Sequence, residues 1–546
     1  SLNLSEEAIG NYKFLIKKNN NYKAMINLYI LYMKEGGYLE GLNLINKLIT
    51  HNITIDNLIK DKAFALYKLK RFNESIIICE NYLKKNIDTS FLNILGLNYL
   101  ANENLIKAEE VLKQALNIDK KNPFILNSLG RLYHEKRDSK NAEIYLLKAY
   151  DLKKDSYEII NNLAGFYREE GKYSKSIKLY HEAIEMNPNN STITNNLAKA
   201  YFDINEFDVA KKYCLDALKI NKSDGNIQKI LSLIYLREQN YKEGWSYFDG
   251  RLNLSDFVEK NSSINNIREK LLINKKLNKN LKILVLREQG VGDEILYGTM
   301  YNDLLRSYED VTIECDKRLQ NIFCYSFPKY KKSFVEFGKI SKNKKLINEY
   351  DIALYAGSLG KFFRNNIESF DNDSYLKVEN NLIKKSKEKL NSLNEKINIG
   401  ISWKSFKNRY ANEKSLTLEN LKNILDTKNC NFINLQYGDV KDEVRNYNKK
   451  FNKNIISFED LDLLNDFDNL ASVLKNLDLF ISVSNSTAHL AGSLGVETLL
   501  IRPDNHALFH YWNQPSNKTP WYKTITFVEK NKIMHEKKLI NEFLNI

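Results

Sequence analysis

The chain has 546 residues, with 82 Lys or Arg and 68 Asp or Glu, so its formal net charge is +14. This length predicts several hydrophobic cores. The lysines are scattered without a long basic block, which argues against a nucleic-acid-binding arm, and no apolar run reaches the roughly 18 residues of a membrane-spanning helix. We therefore expect neither nucleic acid nor a transmembrane segment, but a mild attraction for anions.

The cysteines give no sign of a metal site or of a disulfide framework. They show no CxxC pair and no partnered His spacing, at Cys79, Cys214, Cys315, Cys324 and Cys430. We expect a reducing, cytoplasmic location. The first residue is Ser and not Met, which is typical of a chain that lacks a native leader.

A 34-residue step runs through the first half. It relates Tyr99, Tyr133, Tyr167, Tyr201 and Tyr235, and small residues recur on the same step at Ala108, Ala142, Ser176, Ala210 and Gly244. The period and pattern resemble tetratricopeptide repeats, in which two amphipathic helices approach closely at small residues. We predict an α-solenoid of roughly six or seven repeats over residues 1–251, stacked as a right-handed superhelix with a concave groove.

Asparagines recur near the start of each first repeat helix, at Asn93, Asn127, Asn161 or Asn162, and Asn195 or Asn196. In related repeat proteins such a ladder binds an extended peptide backbone. The alternative is that they reflect the abundance of asparagine in the whole chain. Residues 252–280 then look like a charged linker with some helix.

From residue 281 short apolar runs alternate with helical ones, which predicts α/β structure with parallel sheets. The predicted strands are "LKILVL", "VTIEC", "YDIALYA", "INIGISW", "NFINLQY", "NIISF", "DLFISVS" and "ETLLIR". A polar helical stretch near residues 380–396 divides the run. We predict two facing Rossmann-like units, over residues 281–390 and 391–546.

The turn "GVGDEI" follows the first strand of this part. A dinucleotide fingerprint is one interpretation, with Glu314 as the ribose-binding acid, but Ile295 replaces the third glycine and Asp293 would repel a pyrophosphate. A second interpretation is that Gly290 and Gly292 allow a tight turn that presents Asp293 to the cleft. Asp293 is then either a general base for an attacking alcohol or a helix N-cap.

The stretch "DLFISVSNSTAHLAGSLGV" predicts a strand over residues 478–483 and a helix that begins near Thr487. Its free N–H groups form an anion site at the carboxyl end of a strand. Ser486 and Thr487 can also cap the helix. His489 either donates to a phosphate or is a structural histidine.

The run from "GISWKS" through "KSLTLENL", "NFINLQYGD" and "DFDNLASVLKNLDLFISVSNSTAHLAGSLG" to "PWYKTITF" resembles the glycosyltransferase domain that follows tetratricopeptide repeats in many bacterial proteins. These domains are similar to the heptosyltransferase family, which has the GT-B fold. "EGWSYFDGR", at the end of the last repeat, matches the junction in that group.

The resemblance implies an enzyme, a hexosyl- or related transferase that moves a sugar from a nucleotide sugar to an acceptor hydroxyl with inversion and without a metal or other cofactor. It implies Asp293 as the base, and it implies donor contacts at Lys404, Gln436, Asn485, Ser486, Thr487 and His489. The family usually has Asp where this chain has Asn485. A lysine and a helix N-terminus can stabilise a leaving diphosphate in place of a cation. The acidic "DNDS" at residues 371–374 is better explained as a solvated turn.

We expect the repeats to recruit the acceptor, a protein or peptide that carries Ser or Thr. The alternatives are a glycan or lipid acceptor, and a non-catalytic repeat scaffold. Four aromatic residues of the later loop either wall the donor site or pack, namely Phe509, Tyr511, Trp512 and Trp521.

Overall fold

The computed structural model describes residues 2–19, 21–53, 57–254, 257–258, 261, 264–272, 280–371, 373–395, 397–406, 414–503, 510–535 and 539–544. It forms two compact units, Ser1–Ala200 and Tyr201–Ile546.

The first unit is built from helices alone in its described part. Their bounds are Leu2–Asn19, Tyr22–Glu35, Tyr38–Thr50, Leu58–Lys68, Phe72–Leu83, Thr89–Ala101, Leu105–Ile118, Pro123–Glu135, Ser139–Leu152, Tyr157–Glu169, Tyr173–Met186 and Ser191–Asp203, the last of which ends in the second unit. Helical hairpins at a 34-residue step confirm the predicted α-solenoid for this unit.

Small residues set the distance between paired helices. A Cβ on Gly96 would lie 2.5 Å from Leu112 Cγ, and a Cβ on Gly130 would lie 2.5 Å from Leu146 Cγ. Ala108 is fully buried, as its place in the 34-residue pattern predicts. Larger residues at these positions would separate the helices, because repeat interiors are close-packed.

The second unit begins with repeat helices and continues as α/β structure. The repeat helices are Phe207–Ile220, Gly225–Arg237 and Tyr241–Phe248. Later helices are Ile264–Ile267, Val291–Gly298, Tyr301–Ser307, Lys317–Ser326, Lys344–Ile347, Gly360–Phe363, Asn380–Asn391, Lys422–Leu425, Lys441–Phe451, Phe467–Lys475, Ser486–Leu494, Lys530–His535 and Leu539–Leu544. Short 3₁₀ turns lie at Asp249–Asn253, Pro328–Ser333, Ala356–Leu359 and Ile367–Ser369.

The first sheet is parallel, with four strands in the order β3-β2-β1-β4. The strands are β1 Ile283–Leu286, β2 Val311–Cys315, β3 Phe334–Glu336 and β4 Ile352–Tyr355. Both β1 and β4 are buried along their whole length, as the continuous apolar runs predict for a parallel sheet covered on both faces.

The second sheet has seven strands in the order β10-β11-β9-β8-β5-β6-β7, all parallel except the β10–β11 pair. The strands are β5 Ile397–Ser402, β6 Cys430–Asn434, β7 Ile455–Ile456, β8 Leu479–Val483, β9 Thr498–Arg502, β10 Lys518–Thr519 and β11 Tyr522–Glu529. The order reverses beside β5, and the first sheet reverses beside β1. Ligands of open α/β sheets bind at the carboxyl ends of strands next to such a reversal.

The segment predicted as a linker, residues 252–280, belongs in its described part to the packed core. Leu271 pairs with Ala353 as an isolated parallel bridge. Ile264 and Ile267 are buried in one cluster with residues of the first sheet. Leu271 belongs to the same cluster, whereas Leu272 is buried in a second cluster with Ile283 and Val285, so this stretch packs on the sheet instead of separating two cores.

The last repeat helix also joins the α/β core. Trp245 is buried, its Nε1 donates to the Arg364 carbonyl at 2.7 Å, and a Cβ on Gly360 would lie 2.5 Å from its indole. These contacts explain why the second compact unit begins at Tyr201, before the domain boundary predicted at residue 251.

Candidate functional site

Two helix N-termini meet in the second unit. We call Val291–Gly298 the Asp293 helix and Ser486–Leu494 the His489 helix; they follow β1 and β8. A Cβ on Gly292 would lie 2.9 Å from His489 Cδ2 and 3.3 Å from Ser486 Cα. Gly292 is therefore required for this close approach.

The tight turn before the Asp293 helix does not require a glycine at position 290. Gly290 is the N-cap, with an extended backbone at φ −101° that any residue can adopt. The left-handed residue is Gln289, at φ 61°. The predicted reason for Gly290 is thus wrong, because the strained position lies one residue earlier.

A cavity of about 220 Å³ lies where the two helices begin. It combines charged, polar and apolar groups, which suits a ligand with an anionic part. The lining residues are Gly290, Val291, Gly292, Asp293, Arg318, Ser405, Lys414, Tyr437, Leu463, Leu464, Phe467, Ser484, Asn485, Ser486, His489 and Tyr511.

Asp293 is buried in the cavity wall, and both of its carboxylate oxygens accept hydrogen bonds. Oδ2 accepts from the Gly290 backbone N–H at 3.2 Å, which is one of the two bonds of a capping box; glycine has no side chain to make the other. Oδ1 accepts from the Tyr511 hydroxyl at 2.9 Å. Asp293 is thus the third residue of the helix and not its N-cap, so the N-cap interpretation is wrong, and the side chain bonds back to the N-cap backbone while it faces the cavity.

Tyr511 comes from the loop between β9 and β10. It is buried, and burial together with the Asp293 charge raises the pKa of its phenol well above the ordinary value. Its neighbours hold the loop against the last repeats: Arg237 Nε donates to Asn513 Oδ1 at 3.3 Å, and His510 contacts Trp245 edge to face. Tyr511 therefore donates from a fixed position.

The residues at the start of the His489 helix have separate roles. Asn485 caps the helix by accepting from the Ala488 N–H at 3.1 Å, and its Nδ2 donates to Ser402 Oγ at 2.8 Å. Ser486 lines the cavity, whereas Thr487 is buried outside the lining. The predicted helix start is confirmed within one residue, and the cap is Asn485 and not Ser486 or Thr487.

His489 lies in the cavity wall with its ring held on several sides. Its Nδ1 is 3.1 Å from the Tyr522 hydroxyl. The ring stacks on Trp512 with a centroid distance of 4.7 Å and meets Tyr511 edge to face at 5.0 Å. It has the contacts predicted for a structural histidine, and it also borders the ligand space.

Gln436, just after β6, links the carboxyl ends of β5 and β6 by hydrogen bonds. Its Oε1 accepts from the Trp403 and Lys404 backbone N–H groups, at 2.8 and 2.6 Å, and from Ser402 Oγ at 3.0 Å. Its side chain is buried and lies outside the cavity lining. The structure therefore does not bring Gln436 to the cavity as the resemblance implies.

Lys404 also lies outside the cavity lining. Its ammonium pairs with Glu443, and both side chains are partly exposed. The Glu443 carboxylate therefore offsets the positive charge of Lys404, which the resemblance assigned to a donor phosphate.

Two other basic residues line the cavity instead. Lys414 is only 5% exposed and enters from the segment after β5. Arg318 enters from the first sheet's side and forms a two-pronged pair with Asp316, Nε to Oδ1 at 2.9 Å and Nη2 to Oδ2 at 3.0 Å. The "EKSLT" stretch contained Lys414, but nothing in the sequence placed Arg318 near Asp293.

Arg318 is held in place through Asp316, which belongs to a network of charged side chains. Arg287 joins Asp316 at 2.9 Å and Glu294 at 3.0 Å, and the Asp316 N–H donates to Glu294 Oε1 at 2.7 Å. Burial raises the pKa of Glu294 to about 7, whereas contacts with Arg318 and Arg287 lower the pKa of Asp316 to about 2 against the effect of burial. Asp316 therefore stays ionised and fixes Arg318.

Glu314, considered above as a ribose-binding acid, clamps a loop. Its Oε1 accepts from the backbone N–H groups of Ile340 and Ser341, at 2.7 and 2.8 Å, and the side chain is fully buried. This arrangement removes the support for a dinucleotide fingerprint.

The remaining candidate residues are divided between packing and the cavity. Trp521 packs on Phe370 edge to face at 5.0 Å, and Trp512 stacks on His489. Phe509 lies outside the described residues, as does Asn372 of the acidic "DNDS" turn, whose Asp371 and Asp373 are exposed.

Asparagines of neighbouring repeats bond to one another in the first unit. Asn162 Nδ2 donates to Asn127 Oδ1 at 3.0 Å, and Asn196 Nδ2 donates to Asn161 Oδ1 at 2.9 Å. These four asparagines therefore link neighbouring repeats.

Among the described residues, no three His, Cys, Asp or Glu side chains are grouped so that they could hold a metal ion. In the same part of the chain, no helix is both long and apolar enough to cross a bilayer.

Comparison with known proteins identifies the repeats. Residues 166–205 match a family model described as TPR repeat, and residues 89–122, 125–156 and 193–224 match one described as tetratricopeptide repeat. The chain therefore contains tetratricopeptide repeats, which are modules of protein interaction.

Among curated proteins, the chain is similar to Protein FlbA of Caulobacter vibrioides, with 25% identity over 257 residues. The match covers 45% of this chain and 42% of that protein, so it spans less than half of the relative's length.

Solved structures of tetratricopeptide repeat proteins resemble part of this chain. A thermophilic TPR protein of Thermus thermophilus is 20% identical with a TM-score of 0.31, and covers 33% of this chain and 100% of its own. The pilF protein of Pseudomonas aeruginosa is 18% identical with a TM-score of 0.30, and covers 40% and 85%.

Proposed function

We propose that this chain is an inverting, metal-independent glycosyltransferase of the GT-B fold that moves a sugar from a nucleotide sugar to an acceptor hydroxyl. The observation that carries the proposal is the cavity between the Asp293 and His489 helices. It holds one carboxylate and two basic side chains at the carboxyl ends of both parallel sheets.

The cavity suits a diphosphate and the sugar carbon bonded to it. Lys414 and Arg318 supply positive charge, and the N-terminus of the nine-residue His489 helix adds oriented N–H groups and a favourable dipole. The volume of about 220 Å³ is smaller than the roughly 300–1,000 Å³ of a typical whole-ligand pocket. We therefore assign to it the reacting end of the donor and not the nucleoside.

In this mechanism the acceptor oxygen attacks the anomeric carbon from the face opposite the phosphate. Its proton passes to the Asp293 carboxylate as the new carbon–oxygen bond forms. The bond between the anomeric carbon and the phosphate oxygen breaks, and the nucleoside diphosphate leaves with both electrons. Lys414 and Arg318 stabilise the negative charge that grows on the leaving group.

The tetratricopeptide repeats support a protein or peptide as the acceptor, with Ser or Thr as the modified residue. A glycan or lipid acceptor would leave the repeats to bind another partner.

A non-catalytic scaffold is the second candidate. The observation that favours it is that both Asp293 oxygens already accept hydrogen bonds, from Gly290 and Tyr511.

To test the proposal, the full chain is incubated in EDTA with a panel of UDP-, GDP- and ADP-sugars, and a protein that contains Ser and Thr is co-expressed as the acceptor. Mass spectrometry of the acceptor and release of nucleotide are measured together. We expect one donor to be consumed in EDTA with the hexose mass added to the acceptor. Consumption only with added Mg²⁺ or Mn²⁺ would exclude the metal-free mechanism, and binding of donors without consumption would favour the scaffold.

A further inference from the structure

We propose that Tyr511 is a positioning residue for Asp293, and that its hydroxyl holds one carboxylate oxygen so that the other side of the carboxylate faces the acceptor. This inference rests on the proposed function, because the acceptor and the proton transfer belong to it.

The contact joins the two halves of the cavity. Asp293 follows β1 of the first sheet, and Tyr511 lies between β9 and β10 of the second. The distance from the Tyr511 hydroxyl to Asp293 Oδ1 is 2.9 Å, both side chains are about 3% exposed, and both line the cavity. A neutral donor on an ionised oxygen at this distance is a strong, directional hydrogen bond.

The two bonds on Asp293 fix the plane of its carboxylate. The Gly290 N–H holds Oδ2 and the Tyr511 hydroxyl holds Oδ1, so rotation of the carboxylate would break both. A base must meet the acceptor hydroxyl within roughly 2.6–3.2 Å, and small errors of orientation reduce the rate.

Tyr511 can hold this position because its own surroundings are rigid. Its ring meets His489 edge to face at 5.0 Å, and its backbone carbonyl accepts from Thr519 Oγ1 at 3.0 Å. Gln514, three residues after Tyr511 in the same loop, accepts from Gln239 Nε2 at 3.4 Å, which links the loop to the last repeats. The position of the Asp293 carboxylate therefore depends on contacts that the Tyr511 loop makes with the His489 helix, with Thr519 and with the last repeats.

The test compares Tyr511→Phe with Tyr375→Phe across pH 5 to 9. Tyr375 is the matched control, because its hydroxyl also bonds to the Asp293 helix, at the Ile295 carbonyl at 2.6 Å, but not to the carboxylate. The rate of transfer is measured with the sugar donor that the wild type consumes, and uridine diphosphate affinity is measured alongside.

For Tyr511→Phe we expect a roughly 10-fold to 100-fold lower kcat at pH 6 and an acid limb of the pH–rate profile moved up by about one pH unit, because an ionised carboxylate that loses a donor is stabilised less. Diphosphate affinity should stay within about 3-fold of the wild type. Replacement of Tyr511 by 3-fluorotyrosine keeps the shape and strengthens the donor, so it should move the acid limb to lower pH.

An active Tyr511→Phe protein with an unmoved acid limb, or a limb that moves equally in Tyr375→Phe, would overturn the positioning role while leaving the transferase intact. A wild type that consumes no sugar donor would overturn the proposed function, and the positioning role with it. The two failures are thus distinguished by the wild-type rate.

Discussion

Arg251 and Glu288 form a buried, two-pronged ion pair at the end of the repeats. Arg251 Nη2 lies 3.0 Å from Glu288 Oε1 and 2.9 Å from Oε2. Arg251 ends the "EGWSYFDGR" junction, and Glu288 stands just before the turn that leads to Asp293. The pair therefore fixes the candidate base relative to the last repeat.

Removal of one partner from this pair should be costly. Burial raises the pKa of Glu288 against the effect of Arg251, so Arg251→Met leaves a carboxylate without its compensating charge. We expect a loss of about 3–5 kcal/mol in the free energy of unfolding of the second unit, seen as a lower calorimetric melting temperature. Arg251→Met with Glu288→Gln should be more stable than Arg251→Met alone. Equal melting temperatures for these two proteins would contradict the pairing.

Gly292→Ala tests the contact between the two cavity helices. The added methyl group would meet His489 and Ser486, so the helices must separate and the cavity must change shape. We expect a folded protein that loses at least about 10-fold in nucleoside diphosphate affinity by calorimetric titration, near 1.4 kcal/mol. Gly165→Ala is the control, because its methyl group meets only the Tyr180 hydroxyl at 3.5 Å. Unchanged affinity in Gly292→Ala would show that the close approach does not shape the site.

The sequence predicted the architecture well because local patterns determine it. The 34-residue step located the repeat helices, and buried apolar runs such as "DLFISVS" located the central strands. It missed β3, β10 and β11, and β10 has only two residues. Phe334–Glu336 is too short to show a period, and Tyr522–Glu529 alternates weakly among polar residues.

Individual site residues were harder to predict, because their roles depend on contacts between distant segments. Gln436 and Asn485 lie at strand ends beside a cleft, yet both are occupied by bonds that join strands. Arg318 lies on the helix that follows β2 of the first sheet, and it reaches the cavity only because that helix packs against elements of the second sheet. The position of a motif correctly identifies the edge of the sheet where ligands bind. It does not distinguish a residue that links strands from one that contacts the ligand.

The positions of Lys414 and Lys404 predict different losses of diphosphate affinity when each lysine is replaced by alanine. Lys414 is buried in the cavity wall, whereas Lys404 lies outside it and pairs with Glu443. We expect Lys414→Ala to weaken uridine diphosphate binding by roughly 1.5–3 kcal/mol, the range for hydrogen bonds to charged groups. Lys404→Ala should weaken it by less, and Lys441→Ala, in an exposed pair with Glu459, should not weaken it. A larger loss in Lys404→Ala than in Lys414→Ala would restore the assignment made from the resemblance.

Glu294 should make the second unit less stable as the pH rises toward neutrality. Burial raises the pKa of Glu294 from 4.5 to about 7, so the folded state retains a proton that the unfolded chain releases. Its stabilising contribution is complete below about pH 4.5 and is lost as the pH rises through 7, by up to roughly 3 kcal/mol. Glu294→Gln keeps the neutral shape at every pH. Relative to the wild type, its melting temperature should therefore improve between pH 5 and pH 7.5, while exposed Glu459→Gln should show no such trend.

Asp293→Asn should fold less well than a simple N-cap exchange, because both carboxylate oxygens accept hydrogen bonds. Asparagine has one acceptor oxygen, so if that oxygen keeps the Gly290 N–H, its amide nitrogen must donate to the Tyr511 oxygen, and the phenolic proton loses the carboxylate that accepted it. We expect a loss of about 1–3 kcal/mol in stability and, if Asp293 is the base, a further loss of roughly 10² to 10⁴ in turnover.

Asp293→Asn with Tyr511→Phe separates these two losses. The charge-assisted bond between the Tyr511 hydroxyl and the carboxylate is already lost in Asp293→Asn, so Tyr511→Phe should lower the melting temperature less in this background than in the wild type. Its turnover should stay low, because neither change restores a group that can take the proton from the acceptor. Turnover near the wild-type level in a folded Asp293→Asn protein, with or without Tyr511→Phe, would show that Asp293 acts only as a structural tie.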